Sequence, residues 1–141
     1  MVIRNLIIDK TRIPLLTRML DVTALRHRAL TNNIANAGTI NYRRKDVDFE
    51  GYLRSFVVKD AVIGERTDAR HIPIGEPDPS QPPRIYEPKR SSNTTGQNDV
   101  DVDQEMANLA ENHLLYNASV KLIAGSFASL RKSIVGSPDV R

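Results

Sequence analysis

The chain has 141 residues, about the length of one domain, and a formal net charge of only +3. It contains no cysteine, which excludes a disulfide framework, thiolate catalysis and the cysteine-bearing zinc sites. Tryptophan is absent and aromatic residues make up 5% of the chain, so any core is aliphatic and local.

Residues 1–11 read as an N-terminal extension. Their apolar runs are short and broken by Asp9 and Lys10, and they lack the apolar centre of a cleaved signal peptide. No stretch of the sequence approaches the ~20 apolar residues of a membrane span. The basic excess lies early: before residue 60, eleven Lys and Arg face five Asp and Glu.

The spacing predicts a first helix over 12–37. Ile13, Leu16, Leu20, Thr23, His27, Leu30, Ile34 and Ala37 recur at intervals of three and four, which places them on one face. Pro14 suits a first helical turn, where its missing N–H costs nothing. Asn36, Gly38 and Asn41 follow the last periodic residue and tolerate the left-handed backbone of a helix end.

Residues 38–58 read as a loop followed by a short segment, helix or strand, that docks on the terminal helices through Phe49, Tyr52, Leu53 and Phe56. Residues 59–98 are a variable loop. Six of the eight prolines fall between Pro73 and Pro88, and a polar run from Ser91 to Asn98 follows, so helix is excluded there.

The strongest periodicity belongs to a second helix, within 99–136, followed by a tail at 137–141. Val102, Met106, Leu109, His113, Tyr116, Val120, Ile123, Phe127, Leu130 and Ile134 alternate at four and three, which is a heptad seam. Only His113 is not apolar. Asp101 and Gln104 stand at capping-box spacing, while Arg131 and Lys132, then Gly136 and Pro138, mark the end. A helix over 102–134 would be roughly 50 Å long, longer than a small domain is wide.

The expected fold is therefore mainly α: long N- and C-terminal helices paired as a coiled-coil-like hairpin around an irregular, proline-rich middle. Two such helices alone leave apolar surface in water. The candidate helix-packing positions are Ile13, Leu16, Leu20, Leu30, Ile34, Val102, Met106, Leu109, Tyr116, Val120, Ile123, Phe127, Leu130 and Ile134. Burying each Leu or Ile is worth about 1.5–3 kcal/mol, so exposed seam positions drive association.

The junction after the first helix, Asn32-Asn33-Ile34-Ala35-Asn36, with Thr39, Tyr42 and Arg43 beyond it, resembles the Asn-Asn-x-Ala-Asn signature of the flagellar rod and hook axial proteins. Ile40 and Asn41 stand where Pro and Gly are common in that family. The runs Arg44 to Glu50 and Asn98 to Asn112 resemble the proximal-rod members in particular. The resemblance covers roughly 12–58 and 96–135 and leaves out the proline-rich middle.

That resemblance implies a structural subunit of the proximal rod in the periplasmic part of the flagellar basal body, needed for motility. The implied partners are other copies of the chain, other rod proteins, and membrane-ring and export-gate proteins at the rod base. It also implies delivery through the flagellar type III pathway without a cleaved signal peptide. The alternatives are a sibling axial protein, which shares the asparagine motif, or a basic coiled-coil adaptor that binds nucleic acid or a membrane surface.

Nothing in the sequence points to catalysis, since no Ser, His and Asp arrangement and no glycine-rich phosphate loop has motif support. No cofactor, metal, nucleic acid or small-molecule substrate is expected. Asp99, Asp101, Asp103 and Glu105 lack the glycine and bidentate glutamate of a calcium loop and read as helix capping. His27 and His113 both occupy seam positions and read as packing residues before a metal site or pH switch. Asn32, Asn33 and Asn36 read chiefly as caps for the first helix. The run Arg43-Arg44-Lys45 suggests a nucleic-acid patch, which the acidic residues Asp46, Asp48 and Glu50 argue against.

Overall fold

The computed structural model describes residues 11–57, 82–89 and 98–136. The N-terminal extension up to residue 10, most of the proline-rich loop and the tail at 137–141 lie outside the described residues.

Helix α1 spans Ile13–Ala35. Pro14 occupies its first turn, and the Ile13 N–H donates to Thr11 Oγ1 at 3.3 Å, which satisfies a donor the helix leaves free. At the other end the backbone N–H of Asn36 donates to the Asn32 and Asn33 carbonyls, and the Asn36 side chain donates to the Asn32 carbonyl at 2.8 Å. The chain then turns over residues 39–42, closed by the Tyr42 N–H donating to the Thr39 carbonyl, with Asn41 at a φ of +61° that asparagine, of the non-glycine residues, adopts at small cost.

After the turn come strand β1 (Asp46–Val47) and helix α2 (Phe49–Val57), so the docking segment is helical. The Asp48 carboxylate caps α2 by accepting the Gly51 N–H at 3.0 Å. Phe49, Tyr52 and Leu53 lie against a small cluster of Val22, Ala29 and Val47. The Arg18 guanidinium lies 3.9 Å from the Phe56 ring centroid and donates to the Tyr52 hydroxyl at 3.0 Å, fastening α2 to α1.

The middle segment is not irregular throughout. Ile85–Tyr86 forms strand β2, antiparallel to β1, with Asp46 opposite Tyr86 and Val47 opposite Ile85. Two residues that favour strands lie here between Pro83 and Pro88, which cannot donate to a ladder and keep the pairing short.

Helix α3 spans Val102–Val135. Its cap is half of a capping box: Asp101 accepts from the Asp103 and Gln104 N–H groups, but the Gln104 side chain turns along the helix to Asn108. Gly136, with φ of +77°, ends it and donates its N–H to the Lys132 carbonyl. The helices α1 and α3 pack antiparallel, since the end of α1 meets the start of α3 at Asn33 and Glu105. With 34 residues against 23, α3 is the longer by roughly 16 Å. Among the described residues no helix is long and apolar enough to cross a membrane.

Candidate assembly interface

The asparagine motif does more than end a helix. Asn33 is fully buried and uses both ends of its amide. Its Nδ2 donates to the Lys45 carbonyl and to Glu105 Oε2, each at 2.8 Å, and its Oδ1 accepts from the Lys45 N–H at 3.0 Å and the Tyr42 hydroxyl at 3.2 Å. Reading Asn33 as a cap is thus corrected: it ties the motif loop and α3 to α1. Asn36 is the capping residue, Thr39 Oγ1 donates to its Oδ1, and the Asn32 and Ala35 side chains face outward.

Glu105 is buried at 1% exposure in the first turn of α3, where the helix dipole favours a carboxylate. Its second oxygen stands 2.6 Å from Arg44 Nε, a close ion pair rather than an aligned hydrogen bond. Arg44 also pairs with Asp46 at 3.2 Å. Arg43 pairs with the buried carboxylate of Asp99 at 3.2 Å and with Glu87 at 3.7 Å. Arg43 and Arg44 are therefore engaged by acids of their own chain. Burial, and then the nearby Glu105 charge, push the Tyr42 phenol above its ordinary range and keep it protonated.

Asn98 closes the arrangement from the α3 side. Its side-chain amide donates toward the Asn36, Ala37 and Thr39 carbonyls, while its Oδ1 accepts the Val100 N–H. Carbonyls at and just beyond the end of α1 thus receive donors from the segment leading into α3, some 60 residues on in sequence.

Along α3 the buried residues are Glu105, Asn112 and Ser119, a polar line at intervals of seven that faces α1. Asn112 Nδ2 donates to the Thr23 carbonyl at 3.0 Å, and the Thr23 and Ser119 hydroxyls bond back to carbonyls of their own helices. The apolar heptad positions lie beside this line. Met106, Val120 and Phe127, each one residue on from the polar line or its continuation, are about half exposed. Leu109, Ile123 and Leu130 are half covered, while Val102, Tyr116 and Ile134 are exposed, Ile134 to 80%.

On α1 the partition differs. Ile13, Leu16 and Leu30 are buried, and Leu20 and Ile34 are half-buried. The structure thus spends the stripe of α1 within the chain and leaves much of that of α3 outside. Sequence reasoning missed the polar line, Asn98 and the buried role of Glu105. Polar residues at every seventh position were the available signal, hidden because the stronger apolar seam runs beside them. Among the described residues no group of three or more His, Cys, Asp or Glu is arranged to hold a metal ion.

No family model matches the chain. It is similar to the flagellar basal body rod protein FlgB of Bacillus subtilis (strain 168), at 36% identity over 115 residues that cover 79% of this chain and 84% of the relative. The proteins of the same name from Yersinia enterocolitica and Escherichia coli (strain K12) are each 29% identical over 116 residues, covering 79% of this chain and 84% and 83% of the relatives.

Proposed function

This chain belongs to the FlgB family of flagellar basal body rod proteins and is a structural subunit of the bacterial flagellar basal body rod, not an enzyme; we propose that it builds the proximal rod through the apolar face of α3. As a rod component it assembles with other rod proteins and supports motility.

The observation that carries the proposal is the division of α3 into two faces. Its polar line packs on α1, while Met106, Val120 and Phe127 remain about half exposed and Ile134 largely so. A soluble chain that exposes such a line gains by covering it with another helix. If the copy that covers it is related by a rotation that does not close, the product is an open helical filament, the geometry of a shaft. The part of α3 that outruns α1 reaches beyond its own hairpin toward neighbours.

Of the motif residues Asn32, Asn33, Ala35, Asn36, Thr39, Tyr42 and Arg43, Asn33, Tyr42 and Arg43 serve this function by holding the start of α3 to the end of α1, Asn36 and Thr39 shape that end, and Asn32 and Ala35 stay on the surface. At the rod base the neighbours are membrane-ring and export-gate proteins, and the subunit arrives through the flagellar type III route. The domain division is 12–37 and 99–136 as packing helices, 38–58 as the clamp between them, and 59–98 as a variable loop, with 1–11 and 137–141 as end segments.

The test is deletion of the gene in its motile host, followed by imaging of the envelope and assay of later axial subunits in the medium. Membrane rings without rods, no hooks and no swimming are expected. Complete rods in the deletion strain would overturn the proposal.

A further inference from the structure

The seam of α3 is apolar at nine of its ten positions, and the exception, His113, lies against His27 of α1 with ring centroids 5.3 Å apart. The two imidazoles line a groove of about 300 Å³ together with Arg28, Tyr116 and Asn112. Arg28, His113 and Tyr116 are exposed, and none of the residues lining the groove is acidic. At its floor Asn112 is 1% exposed, its Nδ2 committed to the Thr23 carbonyl while its Oδ1 has no hydrogen-bond partner.

We infer that this groove is a recognition pocket for a carboxylate, an Asp or Glu side chain carried on a helix of a neighbouring axial subunit. The inference rests on the reading of α3 as the assembly face. One guanidinium and two imidazoles, each able to donate, with no acid among the lining residues, make a site suited to an anion in an otherwise apolar stripe. A carboxylate entering there can accept from an imidazole N–H and from the Arg28 guanidinium together. A purely apolar partner would cover the guanidinium without compensation.

The pocket also solves a problem of register. An apolar heptad seam permits a partner helix to slip by one heptad, roughly 10.5 Å, at little loss. A single polar layer with one matching charge penalises every slipped alignment, as isolated polar core positions do in coiled coils.

The test compares His113→Leu, His113→Glu and His113→Arg, with Arg28→Glu on the other wall, by complementation of the deletion strain and counting of complete rods per cell. His113→Leu makes the seam wholly apolar, so simple packing predicts that it is tolerated or improved. The pocket predicts that His113→Leu, His113→Glu and Arg28→Glu each reduce rods by about tenfold or more, while His113→Arg stays within about twofold of the parent. Parental helix content of the purified variants by circular dichroism assigns the loss to assembly.

Normal rod numbers in His113→Leu, or a defect in His113→Arg as deep as in His113→Glu, would overturn the inference. Phe127→Asp is the control. If it abolishes rods while His113→Glu does not, the assembly face stands and the pocket falls; if neither matters, the reading of α3 falls as well.

Discussion

The Asn33 side chain donates a 2.8 Å hydrogen bond to Glu105 across 72 residues of sequence, and both residues are buried. This contact joins the last turn of α1 to the first turn of α3. Removing the amide leaves a buried carboxylate with one partner fewer and exposes the Lys45 backbone groups to the same deficit. Asn33→Ala is expected to cost about 2–4 kcal/mol, and Asn33→Asp more, since it sets two carboxylates together. Glu105→Gln keeps an acceptor for Asn33 but loses the ion pair with Arg44, and is expected to cost about 1–3 kcal/mol. Urea unfolding of the purified chain followed by circular dichroism orders the three variants.

Asn98 offers a separate test of the clamp, because its role depends on donation. Its amide faces the Asn36, Ala37 and Thr39 carbonyls. Asn98→Ala is expected to lower stability by about 1–2 kcal/mol, the scale of a lost helix cap. Asn98→Asp is expected to be worse, since a carboxylate turns an acceptor toward three acceptors while still serving the Val100 N–H. Equal urea midpoints for the two variants would contradict the donor role.

The Tyr42 hydroxyl donates to Asn33 Oδ1, and burial, with the Glu105 charge, raises its pKa above the ordinary value. The folded chain therefore holds a proton that the unfolded chain releases from about pH 10 upward. The contribution is complete below that pH and is lost as pH rises toward and through the folded value. Relative to the parent, Tyr42→Phe is expected to lose about 0.5–1.5 kcal/mol at neutral pH through the missing hydrogen bond, a difference that narrows in alkali. Parallel thermal melts from neutral to alkaline pH measure it; a constant difference would sever Tyr42 from the alkaline loss.

Local rules carried much of this architecture. The heptad run located α3, Asp101 and Gly136 marked its ends, and Asn41 was legible as the residue able to take positive φ. The face on which α3 pairs with α1 was not legible. The apolar seam is the louder periodic signal, but the chain buries the adjacent line of Glu105, Asn112 and Ser119, whose side chains hydrogen-bond to groups on α1 or to their own backbone. Such partners are distant in sequence, and no local pattern reveals them. The same limit hid Asn33 and Asn98, whose value lies in carbonyls and carboxylates 12 to 72 residues away. The β2 pairing escaped for a related reason, since two residues between prolines carry almost no periodicity.

The division of α3 into an inner polar line and an outer apolar seam predicts two kinds of assembly mutant. Val120→Asp and Phe127→Asp place a charge on positions that are 40% and 51% exposed in the single chain. Within the monomer that charge meets water, so helix content and urea midpoint are expected to change by less than about 0.5 kcal/mol. In a rod the same charge is driven into an apolar contact, at a cost of several kcal/mol per subunit, and both variants are expected to leave the host without rods. Leu109→Asp and Ile123→Asp, at half-covered positions, are expected to fail in both respects, losing monomer stability together with assembly. If Phe127→Asp destabilises the isolated chain as much as Leu109→Asp does, the outer seam is being used within the monomer, and the separation of faces on which the rod contact depends is wrong.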